Sequence, residues 1–256
     1  MNFTDTHTHL YVDAFKEDID EVMKRANDEN INRFFIPAID SATTEAMYQL
    51  EKDFPRQVFL MMGLHPTSVK ENYQEELKHI EEQLEKRQFY AIGEIGIDLY
   101  WDQTHLQKQQ DAFRHQIKLA KKYKLPIVIH CRNAFDEVFE ILEEEKSEDL
   151  FGIFHCFTGT YEHAQQAINY NLKLGLGGVL TFKNGKIDKF MSEIDMKHIV
   201  LETDSPYLAP TPYRGKRNES SYLIEVAKKL ANIHQISLEE VARITTENAN
   251  QIFGTS

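Results

Sequence analysis

Short apolar runs alternate with longer amphipathic stretches along the whole chain, and this alternation restricts the fold more than any other feature. The runs at residues 2–7, 33–39, 58–64, 90–95, 127–130, 152–155, 173–176 and 199–202 have the length and composition of β-strands. Between them, residues 15–29, 43–53, 73–87, 106–123, 135–145, 161–169 and 186–194 repeat their apolar positions with helical period. Two further helices, 220–231 and 237–253, close the chain, the second opened by Ser237 with Glu240 in a capping-box pattern. Strands that alternate with helices pair in parallel. Eight such units in 256 residues predict a single (β/α)8 TIM barrel spanning residues 1–256 as one domain. An open doubly wound sheet is the alternative, and no glycine-rich phosphate fingerprint follows the first strand to support it.

In a barrel, the C-terminal strand ends share one mouth. Six residues with metal-ligand chemistry fall at such ends: His7, His9, Glu94, His130, His155 and Asp204. His7 and His9 are two apart, so on a strand both imidazoles share a face. Any of these histidines alone reads as a hydrogen-bonded core residue. The set is harder to explain that way. Four imidazoles and two carboxylates exceed what one catalytic zinc takes, and they suit two divalent ions with Glu94 as the bridge. The mixed nitrogen and oxygen donors fit Zn, Mg, Mn, Co or Ni.

Several function classes are disfavoured. No apolar run approaches the roughly 20 residues that cross a bilayer, and the first residues lack a signal-peptide pattern, so a cytoplasmic location is expected. The two cysteines, Cys131 and Cys156, each follow a candidate ligand and are expected to point to the opposite face as buried thiols. A net charge of −12 argues against nucleic-acid binding. Two divalent ions and the basic stretch Arg214-Gly215-Lys216-Arg217 offset that objection, and the acidic surplus falls on helices.

The segments Asp5-Thr6-His7-Thr8-His9-Leu10, Gly63-Leu64-His65-Pro66, Gly93-Glu94-Ile95-Gly96-Ile97-Asp98, Ile129-His130-Cys131-Arg132, His155-Cys156-Phe157-Thr158-Gly159 and Leu201-Glu202-Thr203-Asp204-Ser205-Pro206 carry a resemblance. In this order the chain resembles the TatD-type metal-dependent deoxyribonucleases, members of the amidohydrolase-like barrels. The resemblance implies one ion held by His7, His9, Glu94 and Asp204, and a second by Glu94, His130 and His155. It also implies phosphodiester hydrolysis of the 3′-to-5′ exonuclease type, and the segment Arg214-Gly215-Lys216-Arg217-Asn218-Glu219 is similar to a family loop near the substrate. The chain departs from the family pattern at Cys131-Arg132-Asn133, where Ser-Arg-Asp is common, and at Ser220, where Pro is common.

The expected activity is therefore ester hydrolysis by a deoxyribonuclease, with Asp204 taking the proton from water and Glu94 fixing the ions. Hydrolysis of another ester or amide, for example an aminoacyl-tRNA ester, is the alternative on the same centre. A non-catalytic metal-binding scaffold is the remaining one. Expected substrate contacts are His65, Arg132, Arg214, Lys216 and Arg217. A turn histidine, a surface salt bridge and a solvated loop are the plainer readings of these residues. Tyr100 and Trp101, after the fourth strand, could stack on a base or pack the loop. DNA is the expected partner, with no membrane and no obligate protein partner. A monomer or weak oligomer is expected.

Overall fold

The computed structural model describes residues 1–101 and 103–255. Its elements run β1 (Phe3–Asp5), α1 (Ile19–Asp28), β2 (Ile31–Pro37), α2 (Thr44–Asp53), β3 (Val58–Met61), α3 (Tyr73–Lys86), β4 (Ile92–Asp98), α4 (Leu106–Tyr123), β5 (Ile127–Arg132), α5 (Phe135–Glu144), β6 (Gly152–Phe154), α6 (Tyr161–Asn169), β7 (Leu172–Leu176), β8 (Ile199–Leu201), α7 (Leu223–His234) and α8 (Leu238–Phe253). Neighbouring strands pair in parallel, β1–β2–β3 in one run and β4–β5–β6–β7–β8 in another. Backbone hydrogen bonds join the two runs at both ends. Gly93 N–H donates to Met62 C=O at 3.0 Å, linking β3 to β4. Thr6 N–H donates to Leu201 C=O at 3.0 Å, and Asp204 N–H to His7 C=O at 2.9 Å, linking the first strand to the last. The result is a (β/α)8 barrel, not an open sheet.

Local differences from the sequence reading have physical causes. β1 stops at Asp5, so His7 and His9 lie beyond the strand instead of on it. They are held there by backbone bonds on either side: Thr8 N–H to Phe35 C=O at 3.1 Å, and His9 N–H to Ser205 C=O at 2.8 Å. β4 and β5 extend further than expected, to Asp98 and Arg132, so Glu94 and His130 lie inside strands. Residues 186–194 form two 3₁₀ turns, Ile187–Lys189 and Met191–Glu193, in place of a helix. The apolar spacing there is real, since Ile187, Met191 and Ile194 are all buried. The segment has no side-chain cap to start a helix, unlike the equally long α6 with its Thr160 capping box, and is pinned at those three points instead. Ser237 caps α8 as expected, its hydroxyl accepting Glu240 N–H at 3.1 Å.

The barrel interior has two levels. At the N-terminal end of the strands, Phe35, Met61, Ala91, Val128, Ile153 and Val200 cluster with Ala249, Ile252 and Phe253 from the end of α8. Phe253 stacks on Phe35 with ring centroids 3.7 Å apart, so α8 plugs the bottom of the barrel. Side chains on a strand repeat their facing every second residue. Two residues beyond Val128, Ile153 and Val200 come His130, His155 and Glu202. The apolar floor thereby sets the polar level above it. Alternate residues such as Phe34, Ile36, Ile127, Ile129 and Phe154 join the larger core beneath the helices. No helix among the described residues is long and apolar enough to cross a membrane.

Candidate metal centre

Glu94 sits where the β4–β5 register slips between Gly93 and Ile95. A bulge of this kind re-aims one side chain. The Glu94 carboxylate is buried and its two oxygens face different partners. Oε2 lies 3.1 Å from His7 Nε2 and 3.6 Å from His9 Nε2. Oε1 lies 2.8 Å from His130 Nδ1 and 3.7 Å from His155 Nε2. Asp204 Oδ1 completes the ring, 3.5 Å from His9 Nε2 and 3.8 Å from both His7 Nε2 and His155 Nε2. The six residues singled out from the sequence thus converge on one place, from five different strands or the turns that follow them.

The spacing suits a metal better than a hydrogen-bond network. His7 Nε2 and His9 Nε2 are 3.3 Å apart and each also faces carboxylate oxygens. One imidazole nitrogen carries at most one proton, so it cannot satisfy three such neighbours. Donors bound tetrahedrally at roughly 2.0–2.1 Å stand about 3.3 Å from one another. The His7, His9 and Glu94 Oε2 separations lie close to that value. Groups of possible ligands form around His7, His9 and Glu94, around His7, His155 and Asp204, and around His65, Glu94 and His130. The chemistry of the donor set, imidazole and carboxylate, fits a divalent ion.

His65 stands closer to this cluster than a substrate contact requires. Its Nε2 is 3.3 Å from His130 Nδ1 and 3.5 Å from Glu94 Oε1, while its Nδ1 is turned to Thr67. Burial alone would raise the Glu94 pKa. The rings of His7, His65 and His155 and the bond to His130 instead hold it well below the usual carboxylate range. Asp204 is likewise lowered against its burial, by His9, His155 and His7. Burial opposes charge on His155, but Glu202, Glu94 and Asp204 push its pKa up to about 9.

Four functional neighbours escaped the sequence reading. Asp98 Oδ2 lies 2.9 Å from His130 Nε2. Glu202 Oε1 lies 2.9 Å from His155 Nδ1, off the ring N–H axis, and accepts the Cys156 N–H at 2.5 Å. Tyr11 OH is 3.1 Å from His9 Nδ1. Asp5 is fully buried, accepts from the Thr203 N–H and from the Thr203 and Ser220 hydroxyls, and braces the turn that carries Asp204. Such partners fix which ring nitrogen faces the ion and raise ligand basicity. Parity offered a signal for two of them: Asp98 is four residues after Glu94, and Glu202 two before Asp204. Gly175 makes room for Glu202, because a Cβ there would meet Glu202 Oε2 at 2.2 Å.

One expectation is corrected. Cys156 does not point to the opposite face. Its backbone is left-handed (φ 44°), which breaks the strand alternation and keeps the thiol near His155 and Glu202. Arg217 is engaged within the fold. Its guanidinium donates to both Asp18 oxygens at 2.7 Å and to Ala14 C=O at 2.6 Å, which holds its charge within the fold. Arg214 donates to Ala209 C=O at 3.0 Å and lies 3.6 Å over Phe182, and Lys216 lies over Tyr213. None of these contacts reaches the donor cluster. Arg132 is placed differently, at the exposed end of β5 with its guanidinium 3.7 Å from the Tyr100 ring centroid.

A sequence model of one protein family, described as TatD related DNase, matches residues 4–254. YabD of Bacillus subtilis, described as an uncharacterized metal-dependent hydrolase, is 42% identical over 252 residues, covering 97% of this chain and 98% of the relative. YcfH of Escherichia coli, described in the same words, is 30% identical, covering 99% of this chain and 96% of the relative. Among solved structures, the TatD homologue YjjV of Escherichia coli superposes with a TM-score of 0.93 at 26% identity, covering 99% of this chain and 98% of that one.

Proposed function

This chain belongs to the TatD-related DNase family of metal-dependent hydrolases, and on that premise we propose that it hydrolyses phosphodiester bonds in DNA, working from strand ends, on a centre of two divalent ions. One observation supports the dinuclear reading above the others: the two oxygens of Glu94 face two separate donor sets. In this reading His7, His9, Glu94 and Asp204 would hold one ion, and Glu94, His130 and His155 would hold the other. When bound, such a pair supplies a water of lowered pKa and positive charge for the phosphoryl oxygens.

The chain's own residues do the rest. Asp204 keeps 15% of its side chain exposed, whereas His7 is fully buried, so solvent water can reach the Asp204 carboxylate. That carboxylate accepts the proton of the attacking water. Asp98 keeps His130 turned with Nδ1 inward, and Glu202 sets its charge 2.9 Å from His155 Nδ1. Arg132, two residues past His130, meets a phosphate oxygen and offsets the chain's overall negative charge.

The reading is tested by offering the metal-reconstituted protein three kinds of substrate under identical metal conditions: end-labelled DNA, small esters and amides, and aminoacyl-tRNA. Progressive shortening of DNA from one end, faster than turnover of the other substrates, is expected. Faster cleavage of an ester or amide with DNA left intact would overturn it.

A further inference from the structure

Beyond Met1 at the chain's start, the large apolar side chains that stay exposed among the described residues are Tyr100, Trp101, Tyr207 and Leu208. Trp101 is 69% exposed, Tyr100 53% and Tyr207 52%. Exposed rings scattered over a surface carry no message, but a concentration at one place does. All four occupy two loops. Tyr100 and Trp101 follow β4, the strand of Glu94. Tyr207 and Leu208 follow β8 and the turn of Asp204. In a closed ring of eight strands the fourth and the eighth stand on opposite sides of the axis. The rings therefore rise on two sides of one opening, with the candidate metal donors at its base.

Both loops are tied to those donors. Asp98 Oδ1 accepts the N–H of Tyr100 at 2.9 Å and of Trp101 at 3.2 Å, while its other oxygen holds His130. Tyr207 stands edge-on to His9, ring centroids 6.0 Å apart, and its N–H donates to Asp204 C=O at 2.8 Å. Buried Asn218 braces the same turn through its bonds to Thr203 C=O at 2.8 Å and Tyr207 C=O at 2.7 Å. Arg132 lies 3.7 Å over Tyr100 and 5.5 Å from Trp101, so a cation stands beside the rings. A flat apolar face next to a cation on one side of the donors, and a second exposed ring on the other, match the chemistry of a nucleotide strand.

We propose that Trp101 with Tyr100 on one side, and Tyr207 on the other, form two base-stacking subsites that flank the bond to be cut and take unpaired nucleobases. The proposal rests on the nuclease reading above. It adds that recognition runs through the faces of the bases, which every base has, so the subsites tolerate sequence but not a missing base. A base paired within a duplex stacks on its own neighbours and is not offered to either wall.

Trp101 is the single tryptophan of the chain, so its emission reports on one wall directly. The metal-loaded protein is titrated with a phosphorothioate-protected thymidine oligomer, and separately with an abasic oligomer carrying the same backbone. Trp101 emission and the anisotropy of an end label are read together. The thymidine oligomer should change the emission on binding. The abasic oligomer should bind on the order of tenfold more weakly and leave the emission unchanged. Trp101→Ala and Tyr207→Ala should each shrink the preference for the base-bearing oligomer, and Trp101→Phe should retain it. Tight binding by anisotropy without an emission change, and with an equal preference in both Ala variants, would overturn the proposal while leaving the nuclease reading intact. A protein that neither binds nor cuts any oligonucleotide would overturn both.

Discussion

Asp98 holds His130 from behind, its Oδ2 2.9 Å from the ring Nε2 while the ring's Nδ1 faces Glu94 at 2.8 Å. The contact fixes which nitrogen of His130 is free to bind. Because Asp98 Oδ1 also receives the Tyr100 and Trp101 amides, one carboxylate ties the metal donors to the rim of the opening.

Asp98→Asn keeps the shape of the side chain and removes its charge. Metal affinity should fall by about 10- to 100-fold with the fold retained. Competition against a chromophoric chelator, alongside circular dichroism, measures this. Unchanged affinity would show that Asp98 serves the loop alone.

Glu94→Ala should cost far more activity than Arg132→Ala. The first removes the group shared by both donor sets, and the loss should exceed roughly 10³-fold in kcat together with metal content. The second should raise KM on oligonucleotides, with a loss of about 10- to 100-fold in kcat/KM. Steady-state kinetics with metal analysis of each variant separates the two. Equal losses with full metal content in the Glu94 variant would rule out its bridging place.

Gly175→Ala tests how Glu202 is accommodated. The added methyl would fall 2.2 Å from Glu202 Oε2, at a position where both groups are buried. The carboxylate must swing away from His155, at a stability cost of about 1–3 kcal/mol. Thermal unfolding and metal titration should both report the change. A variant with wild-type values in both would mean that the barrel wall yields at no cost.

Arg217→Ala should leave the KM for oligonucleotides within about twofold. Its guanidinium is engaged by Asp18, and both partners are about a third exposed. Loss of such a partly exposed pair should cost about 1 kcal/mol or less. Chemical denaturation and kinetics on the same preparation check both numbers. A large rise in KM, with stability unchanged, would return Arg217 to the substrate.

The alternation of strand and helix was enough to read the barrel, because period and length constrain a parallel fold strongly. The six donors were legible because each follows an apolar strand core, but parity turns only His130 and His155 inward; the β4 bulge re-aims Glu94, and the turns beyond β1 and β8 place His7, His9 and Asp204. What the sequence did not reveal depends on partners far away along the chain. Nothing local to the basic loop indicates that Asp18 receives Arg217. Nothing in the run Leu201–Asp204 says that Glu202 backs His155, since the room for it is made by Gly175 on the neighbouring strand. Cys156 was misplaced because a single left-handed residue cancels the alternation on which facing was judged. His65 was expected at the substrate, and only the closed ring places it 3.3 Å from His130.

The most direct test is to strip the protein with chelator, confirm the loss by metal analysis, and titrate a divalent ion back while following an end-labelled single-stranded DNA. The stripped protein should cleave no DNA. Shortening of the strand should return with added ion and reach its plateau at two ions per chain. Undiminished cleavage by protein shown to hold no metal would contradict the metal-dependent reading.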